Sequence, residues 1–260
     1  MTTGSTVPLL TILVPTRNEA QNVEPLLKRL SASVELGSVV LFVDDSEDET
    51  PLVIHAARKR GFGSLDIGLL HRSVGQRSGG LGGAVLAGLE QTSTPWVCVM
   101  DGDLQHPPEV VPRLLDAARV YHADLVVASR YVRGGRNEGL GAVRTAVSWA
   151  STVLAKAIFP HRLRGIRDPM SGFFLFRREA LTEPMAPRGF KILLEIAVRH
   201  PDLVRREVPF VFVERSMSAS KGTFREGFRY LRLLAEMRWS LWRRQPAPGQ
   251  GEPETTQMAA

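Results

Sequence analysis

The chain has 260 residues, 43% hydrophobic and 23% charged: ordinary figures for a soluble globular protein, with length for a real core in one large domain or two small ones. One cysteine, Cys98, excludes a disulfide framework or a zinc cluster and reads as a buried thiol in the apolar run WVCVM. The net charge of +6 suits an anionic partner without choosing among nucleic acid, nucleotide and acidic lipid.

Residues 1–7 are expected to be flexible. The opening MTTGSTVPLLTILVP lacks a basic n-region and a long apolar stretch, so no signal peptide is expected. No window reaches the roughly 18 uncharged apolar residues of a membrane span. LLTILVP (9–15) is a short strand-like run, and NVEPLLKRLSASV (22–34) has helical spacing. SVVLFVDD (38–45) is a second buried-strand pattern ending in two aspartates. TPLVIHAARKRG (50–61) predicts a helix with Thr50 as N-cap, Pro51 at its first position and Gly61 beyond its end. A strand at LDIGLLHR (65–72), a glycine-rich turn and the helix GGAVLAGLEQ (82–91) follow. Next come the strand WVCVMD (96–101), a helix after Pro107-Pro108 and the strand ADLVVASR (123–130).

Alternating strands and helices with near-continuous apolar strands predict an α/β fold: a mostly parallel, Rossmann-like sheet covered by helices on both faces. Ligands of such sheets bind at the carboxyl ends of the strands. That rule collects Pro15 to Glu19, Asp44 and Asp45, Asp101 and Asp103, and Arg130 along one rim.

Beyond residue 134 the character changes. AVRTAVSWASTVLAKAIF (142–159) sets Ala146, Val147, Ala150, Val153, Leu154 and Ala157 on one helical stripe, opposite Thr145, Ser148, Thr152 and Lys156. DPMSGFFLFRRE (168–179) predicts a turn leading into a strand, and VPFVFVERS (208–216) one more strand. Residues 223–244 form a basic, aromatic-rich amphipathic helix, and 245–260 a disordered tail rich in Pro, Gly, Gln and Thr.

Asp101-x-Asp103-x-Gln105 sets three oxygen-bearing side chains at alternate positions. If the strand runs on, the two carboxylates face the same way and repel unless a cation sits between them. Mg²⁺ or Mn²⁺ fits, using one or two carboxylates together with substrate phosphates. The plainer alternative is an Asp-rich turn capping the next helix. An EF-hand is excluded by His106 at its sixth position and Pro112 at its twelfth. The cluster SGGLGGAVLAG (78–88) matches neither a dinucleotide fingerprint nor a P-loop and predicts only a tight turn before a helix. Arg130, Arg215 and Lys221 are candidates for diphosphate oxygens. The six histidines show no metal-ligand spacing, with His106 a neighbour of the site. Ser171 lies outside any nucleophile elbow.

Seven blocks in order resemble the family-2 glycosyltransferases, above all the dolichol-phosphate (polyprenyl-phosphate) mannosyltransferases. LVPTRNEAQNV resembles that family's V-P-x-x-N-E, FVDDSEDET its V-D-D-G-S-x-D-x-T, and GGLGGAVLAGL its G-L-G-x-A-x-x-x-G. MDGDLQHPPE, ASRYVRGG, DPMSGFFLFRRE and VFVERSMSASK are similar to its D-A-D-L-Q-H-P-P-E, S-R-Y-x-x-G-G, D-x-x-S-G-F and R-x-x-G-x-S-K. The resemblance implies a GT-A catalytic domain over 8–222. It implies that Pro15, Arg17, Glu19 and Asp45 contact the nucleoside, with Val43 and Asp44 beside them. Met100, Asp101, Gly102 and Asp103 would meet the sugar diphosphate, with Asp101, Asp103 and Gln105 sharing Mg²⁺ or Mn²⁺. Arg130, Arg215 and Lys221 would neutralise phosphates, and Asp101, Asp103 and Arg130 would carry catalysis. Arg17 stands where many relatives have Tyr, the VDDSEDET block is one residue shorter, and the Gly two before Ser220 is missing.

The activity this implies is inverting transfer of a hexose, with GDP-mannose the favoured donor, to a polyprenyl or dolichyl phosphate. That phosphate is an anion near neutral pH, its second pKa being about 6, and attacks without a strong base. A protein without a span would meet such a lipid from the cytoplasmic side, docked peripherally through its amphipathic helices or through a small membrane partner protein, and would bind no nucleic acid. Two other readings stand beside it: a glucosyl- or N-acetylhexosaminyltransferase using a UDP-sugar, and a non-catalytic module binding nucleotide, lipid or nucleic acid. Processive polysaccharide synthases are disfavoured by the missing Gln-x-x-Arg-Trp block.

Overall fold

The computed structural model describes residues 8–35, 37–139, 141–183, 185, 191–213 and 224–243. Among these, β1 (Leu10–Thr16), β2 (Val39–Asp44), β3 (Asp66–His71), β4 (Trp96–Val99), β5 (Leu125–Ser129), β7 (Phe174–Arg177) and β8 (Arg205–Pro209) build one sheet in the order β3-β2-β1-β4-β7-β5-β8. Strand β7 runs antiparallel to both β4 and β5; every other pairing is parallel. The expected mostly parallel α/β sheet is therefore present, with one reversed strand, β7, in its interior.

Strand alternation divides the apolar residues between two faces. Ile12, Val14, Phe42 and Cys98 pack with Leu26, Leu27 and Leu30 of α1 (Ala20–Ser33), Ile54 of α2 (Thr50–Arg60) and Leu114 of α4 (Val110–Val120). Leu13, Val43, Val97 and Val99 face the other way. Their neighbours are Ala84 and Val85 of α3 (Gly80–Glu90), Ala155 of α5 (Ala142–Ile158), Ile196 of α6 (Ile192–Arg199), and Leu233, Leu234 and Met237 of α7 (Phe224–Arg243). Helix α3 lies close because of Gly88. A Cβ there would stand 2.7 Å from Val43 Cγ2 and 2.9 Å from Leu13 Cδ2.

Two expectations change. Thr50 is the first helical residue of α2, not its N-cap. Its hydroxyl accepts from the Glu19 amide (3.0 Å) and donates to Asp48 Oδ1 (2.5 Å), tying the loops after β1 and β2 together. The strand expected over 208–216 stops at Pro209, which has no N–H for a ladder. Val211–Phe212 then forms β9, paired with β6 (Arg136–Asn137) in a separate two-stranded sheet. The apolar stripe of α5 turns outward: Thr152 and Ala155 are buried, while Val147 of the stripe is 61% exposed. Residues 1–7 and 245–260, expected to be flexible, lie outside the described residues.

Candidate active site

The loop after β4 carries the paired aspartates, but not on a strand. Strand β4 ends at Val99, and Asp101 to His106 form a tight turn with Leu104 at φ +64°. Gly102 is pressed against β1, where a Cβ would stand 3.0 Å from Thr16 Cγ2. Alternation therefore does not hold here: the Asp101 side chain is 41% exposed, whereas Asp103 is buried. Asp103 Oδ1 accepts from the Gln105 amide (3.1 Å), and Gln105 Nε2 donates to the Val213 carbonyl (3.1 Å), stitching the turn to the chain beyond β9.

His106 is the interior post of this turn. Burial pushes its pKa down to about 4, so the ring is neutral at pH 7. Its Nδ1 accepts from the Asp101 amide (3.0 Å). The ring stacks on Phe173 at 5.1 Å, with Phe210 and Phe212 edge-on.

A cavity of about 210 Å³ opens beside Asp101 and His106, walled by Arg130, Met170, Ser171, Gly172, Lys191 and Phe212 among others. The wall at 172 is tight, since a Cβ there would lie 3.3 Å from both Asp101 Oδ2 and His106 Cε1. Arg130 forms a side-on bidentate pair with Asp168: Nε to Oδ2 and Nη2 to Oδ1, both 2.8 Å, with the Arg130 amide adding a third bond. Asp168 is fully buried. Burial works against the guanidinium, but the hydrogen bonds and charge of Asp168 outweigh it and hold its pKa above the ordinary value. Glu207 on β8 accepts from the amides of Arg167 and Asp168, and Ser171 Oγ donates to the Ala128 carbonyl (2.7 Å). The segment 167–172 is thereby fixed against the ends of β5 and β8.

Among the described residues, no three His, Cys, Asp or Glu side chains converge as a metal cage. Asp101, on the wall of the open cavity, is a hard oxygen donor of the kind that suits Mg²⁺ or Mn²⁺, which keep places for substrate phosphates, and Asp103 and Gln105, the other two expected ligands, lie in the same turn. The clearance that Gly172 leaves above the Asp101 carboxylate fits the same use.

The predicted nucleoside residues gather on the neighbouring rim. Asp44 is fully buried and accepts from Thr16 Oγ1 (2.9 Å) and Ser46 Oγ (2.5 Å), with His71 Nδ1 at 2.7 Å. Asp45 pairs with Arg72 through Nε (2.8 Å) and Nη2 (2.6 Å), and Arg72 also donates to the Gly80 carbonyl (3.1 Å). Glu19 is buried and takes the Asn22 amide, Pro15 is half-buried and Arg17 exposed. The side chains of Val43, Asp44 and Met100 have no exposed surface. They lie behind the rim rather than on its surface. Of the predicted set, Asp101 and Arg130 line the cavity; Arg215 and Lys221 lie outside the described residues.

Sequence reasoning missed Arg72, Asp168 and Lys191. Asp168 sat in the quoted DPMSGF block, but its pairing with Arg130 joins distant segments and leaves no local periodicity.

The sequence model of a family described as "Glycosyl transferase family 2" matches residues 11–183. The chain is 33% identical over 234 residues to the dolichol-phosphate mannosyltransferase of Pyrococcus furiosus, covering 88% of this chain and 64% of the length of that relative. It is 32% identical over 220 residues to the undecaprenyl-phosphate mannosyltransferase of Micrococcus luteus (80% and 85% covered). It is also 32% identical over 209 residues to an undecaprenyl-phosphate 4-deoxy-4-formamido-L-arabinose transferase of Pseudomonas aeruginosa (77% and 60%). Among solved structures, glucosyl-3-phosphoglycerate synthase from Mycobacterium tuberculosis, in complex with Mn²⁺, UDP-glucose and phosphoglyceric acid, superposes with a TM-score of 0.65 at 19% identity, covering 90% of this chain and 79% of that one. Mannosyl-3-phosphoglycerate synthase from Rubrobacter xylanophilus gives 0.65 at 20% identity, with 92% and 76% covered. At those identities the likeness speaks for the GT-A fold.

Proposed function

Because this chain belongs to glycosyl transferase family 2, we propose that it transfers mannose from GDP-mannose to a polyprenyl or dolichyl phosphate with inversion. The observation that carries the reading is the Asp101 carboxylate on the wall of a cavity whose facing cation, Arg130, is held by buried Asp168. The relatives named for dolichyl and undecaprenyl phosphates support a lipid phosphate as acceptor.

The acceptor phosphate attacks the anomeric carbon as an anion, so the site needs no strong base. Charge grows on the departing nucleoside diphosphate, where the fixed guanidinium of Arg130 stabilises it without reorganising. Asp101, Asp103 and Gln105 would hold the Mg²⁺ or Mn²⁺, which when bound supplies further positive charge at the diphosphate. His106 sets the direction of the turn through the Asp101 amide, and Phe210 and Phe212 keep that wall dry.

The lipid would be met at a membrane surface, on the cytoplasmic side. No helix among the described residues is long and apolar enough to cross a membrane, while α5 turns its apolar stripe outward. A small membrane partner protein resting on the same stripe is part of this reading. A second reading keeps the chemistry and changes the donor to a UDP-sugar; the relative named for a formamido-arabinose supports a change of sugar.

The test is calorimetric binding of GDP and UDP, each with and without Mn²⁺. Metal-dependent binding of GDP alone supports mannosyl transfer, and preference for UDP moves the sugar to glucose or an N-acetylhexosamine. Binding of neither removes the proposal, and a salt-sensitive shift with generic RNA would then favour a binding module.

A further inference from the structure

Each charged group on the cavity wall has a different degree of freedom. Asp101 belongs to the turn already described. Arg130 offers its Nε–Nη2 edge to fully buried Asp168, so the pair is neutral as a unit and supplies direction more than net charge. A diphosphate or a phosphate monoester entering this cavity brings negative charge that the Arg130–Asp168 pair does not balance.

Lys191 lies on the same wall, just before α6. Its Nζ stands 3.5 Å from the Met170 carbonyl. Two residues further on, Gly172 approaches the Asp101 carboxylate. The segment 170–172, anchored by Ser171 on Ala128, thus has the ammonium at one end and the carboxylate at the other. We propose that Lys191 is a phosphate-binding residue whose ammonium takes a phosphate oxygen in the Asp101–Arg130 cavity, an inference that rests on the glycosyl-transfer reading for the identity of the phosphate. A compact ammonium on a flexible stem suits a single phosphate oxygen and follows it as charge shifts, whereas the braced fork of Arg130 is fixed. The phosphate belongs either to the nucleoside diphosphate or to the acceptor lipid.

The experiment compares wild type with Lys191→Met and Lys191→Arg as full chains. Calorimetry with Mn²⁺ reads affinity for GDP, UDP and inorganic pyrophosphate, and a transfer assay reads KM for a short-chain polyprenyl phosphate. Losing a charged hydrogen bond weakens binding by about tenfold or more, so Lys191→Met should show that loss with an unchanged melting temperature, and Lys191→Arg should stand nearer to wild type. Loss confined to nucleotide and pyrophosphate assigns Lys191 to the donor; loss confined to acceptor KM assigns it to the lipid phosphate. Values all within twofold of wild type overturn the inference. If wild type neither binds nucleotide nor transfers sugar, the functional reading falls by itself and pyrophosphate decides. Wild-type binding that weakens in Lys191→Met keeps the ammonium as a phosphate ligand, and any other result overturns it.

Discussion

His106 does its work by staying neutral. Its folded pKa of about 4 lies below the ordinary 6.5, so between those values the unfolded chain binds the proton more readily. Stability falls as pH drops through that window, and the loss is complete below about 4. The shift corresponds to about 3 kcal/mol. Denaturant midpoints of the apo protein in EDTA between pH 7 and 4 should show this decline, and His106→Phe, which keeps the stack on Phe173 but cannot titrate, should flatten it. Asp168 makes the opposite case, since its charge is what the structure needs. Asp168→Asn leaves the Arg130 guanidinium buried beside an amide, and breaking a buried pair costs about 3 kcal/mol or more. With the fork misaligned, kcat should drop by about a hundredfold while metal-dependent GDP affinity changes far less. Equal losses in both would make Asp168 merely structural.

At the scale of elements, Gly88 tests how tightly α3 lies on the sheet. Gly88→Ala drives a methyl into Val43 and Leu13; overpacking of this kind costs about 1–3 kcal/mol, against a helix-propensity gain of about 1. A lower melting temperature is expected despite the better helix former. Helix α5 tests the surface. Replacing exposed Val147 and Val153 by Glu should leave melting unchanged, since both lie on the outward stripe. The same change should reduce sedimentation with phosphatidylglycerol vesicles by about tenfold, as an interfacial helix loses its apolar face. Unchanged sedimentation would assign the stripe to a protein partner. The exposed Arg229, Arg238 and Arg243 of α7, with Trp239 under Arg243 at 5.0 Å, favour an acidic surface. Periodicity showed which residues of α5 share a stripe but not which side turns inward, because an outward apolar face and an inward one have the same spacing. Strands β1, β2, β4 and β5 were legible because double-sided burial writes a continuous apolar run. The direction of β7 was not, since antiparallel and parallel central strands are equally apolar.

Across the whole molecule, the sequence blocks are far apart in the chain and adjacent in space because parallel strands deliver their carboxyl ends to one edge. That made the rim of Asp44, Asp45, Asp101, Asp103 and Arg130 readable before any coordinates. What remained hidden was pairing across the rim. Arg72 on Asp45, Asp168 on Arg130 and Lys191 beside Met170 each join segments that only the closed sheet brings together.

The reversed strand has a consequence for how such a chain acquires its shape. Strands β4 and β5 do not touch; β7 fills the space between them, with Val99 and Val127 both registered on Phe174. As the chain leaves the ribosome, β1 to β5 emerge first, and β4 and β5 each present an unpaired edge until β7 arrives. Long-range closure of this kind is slow, and open edges in the meantime invite aggregation. A nascent chain halted before β7 would be a substrate for chaperones, and the wall that holds Arg130 in place would be among the last parts of the protein to exist.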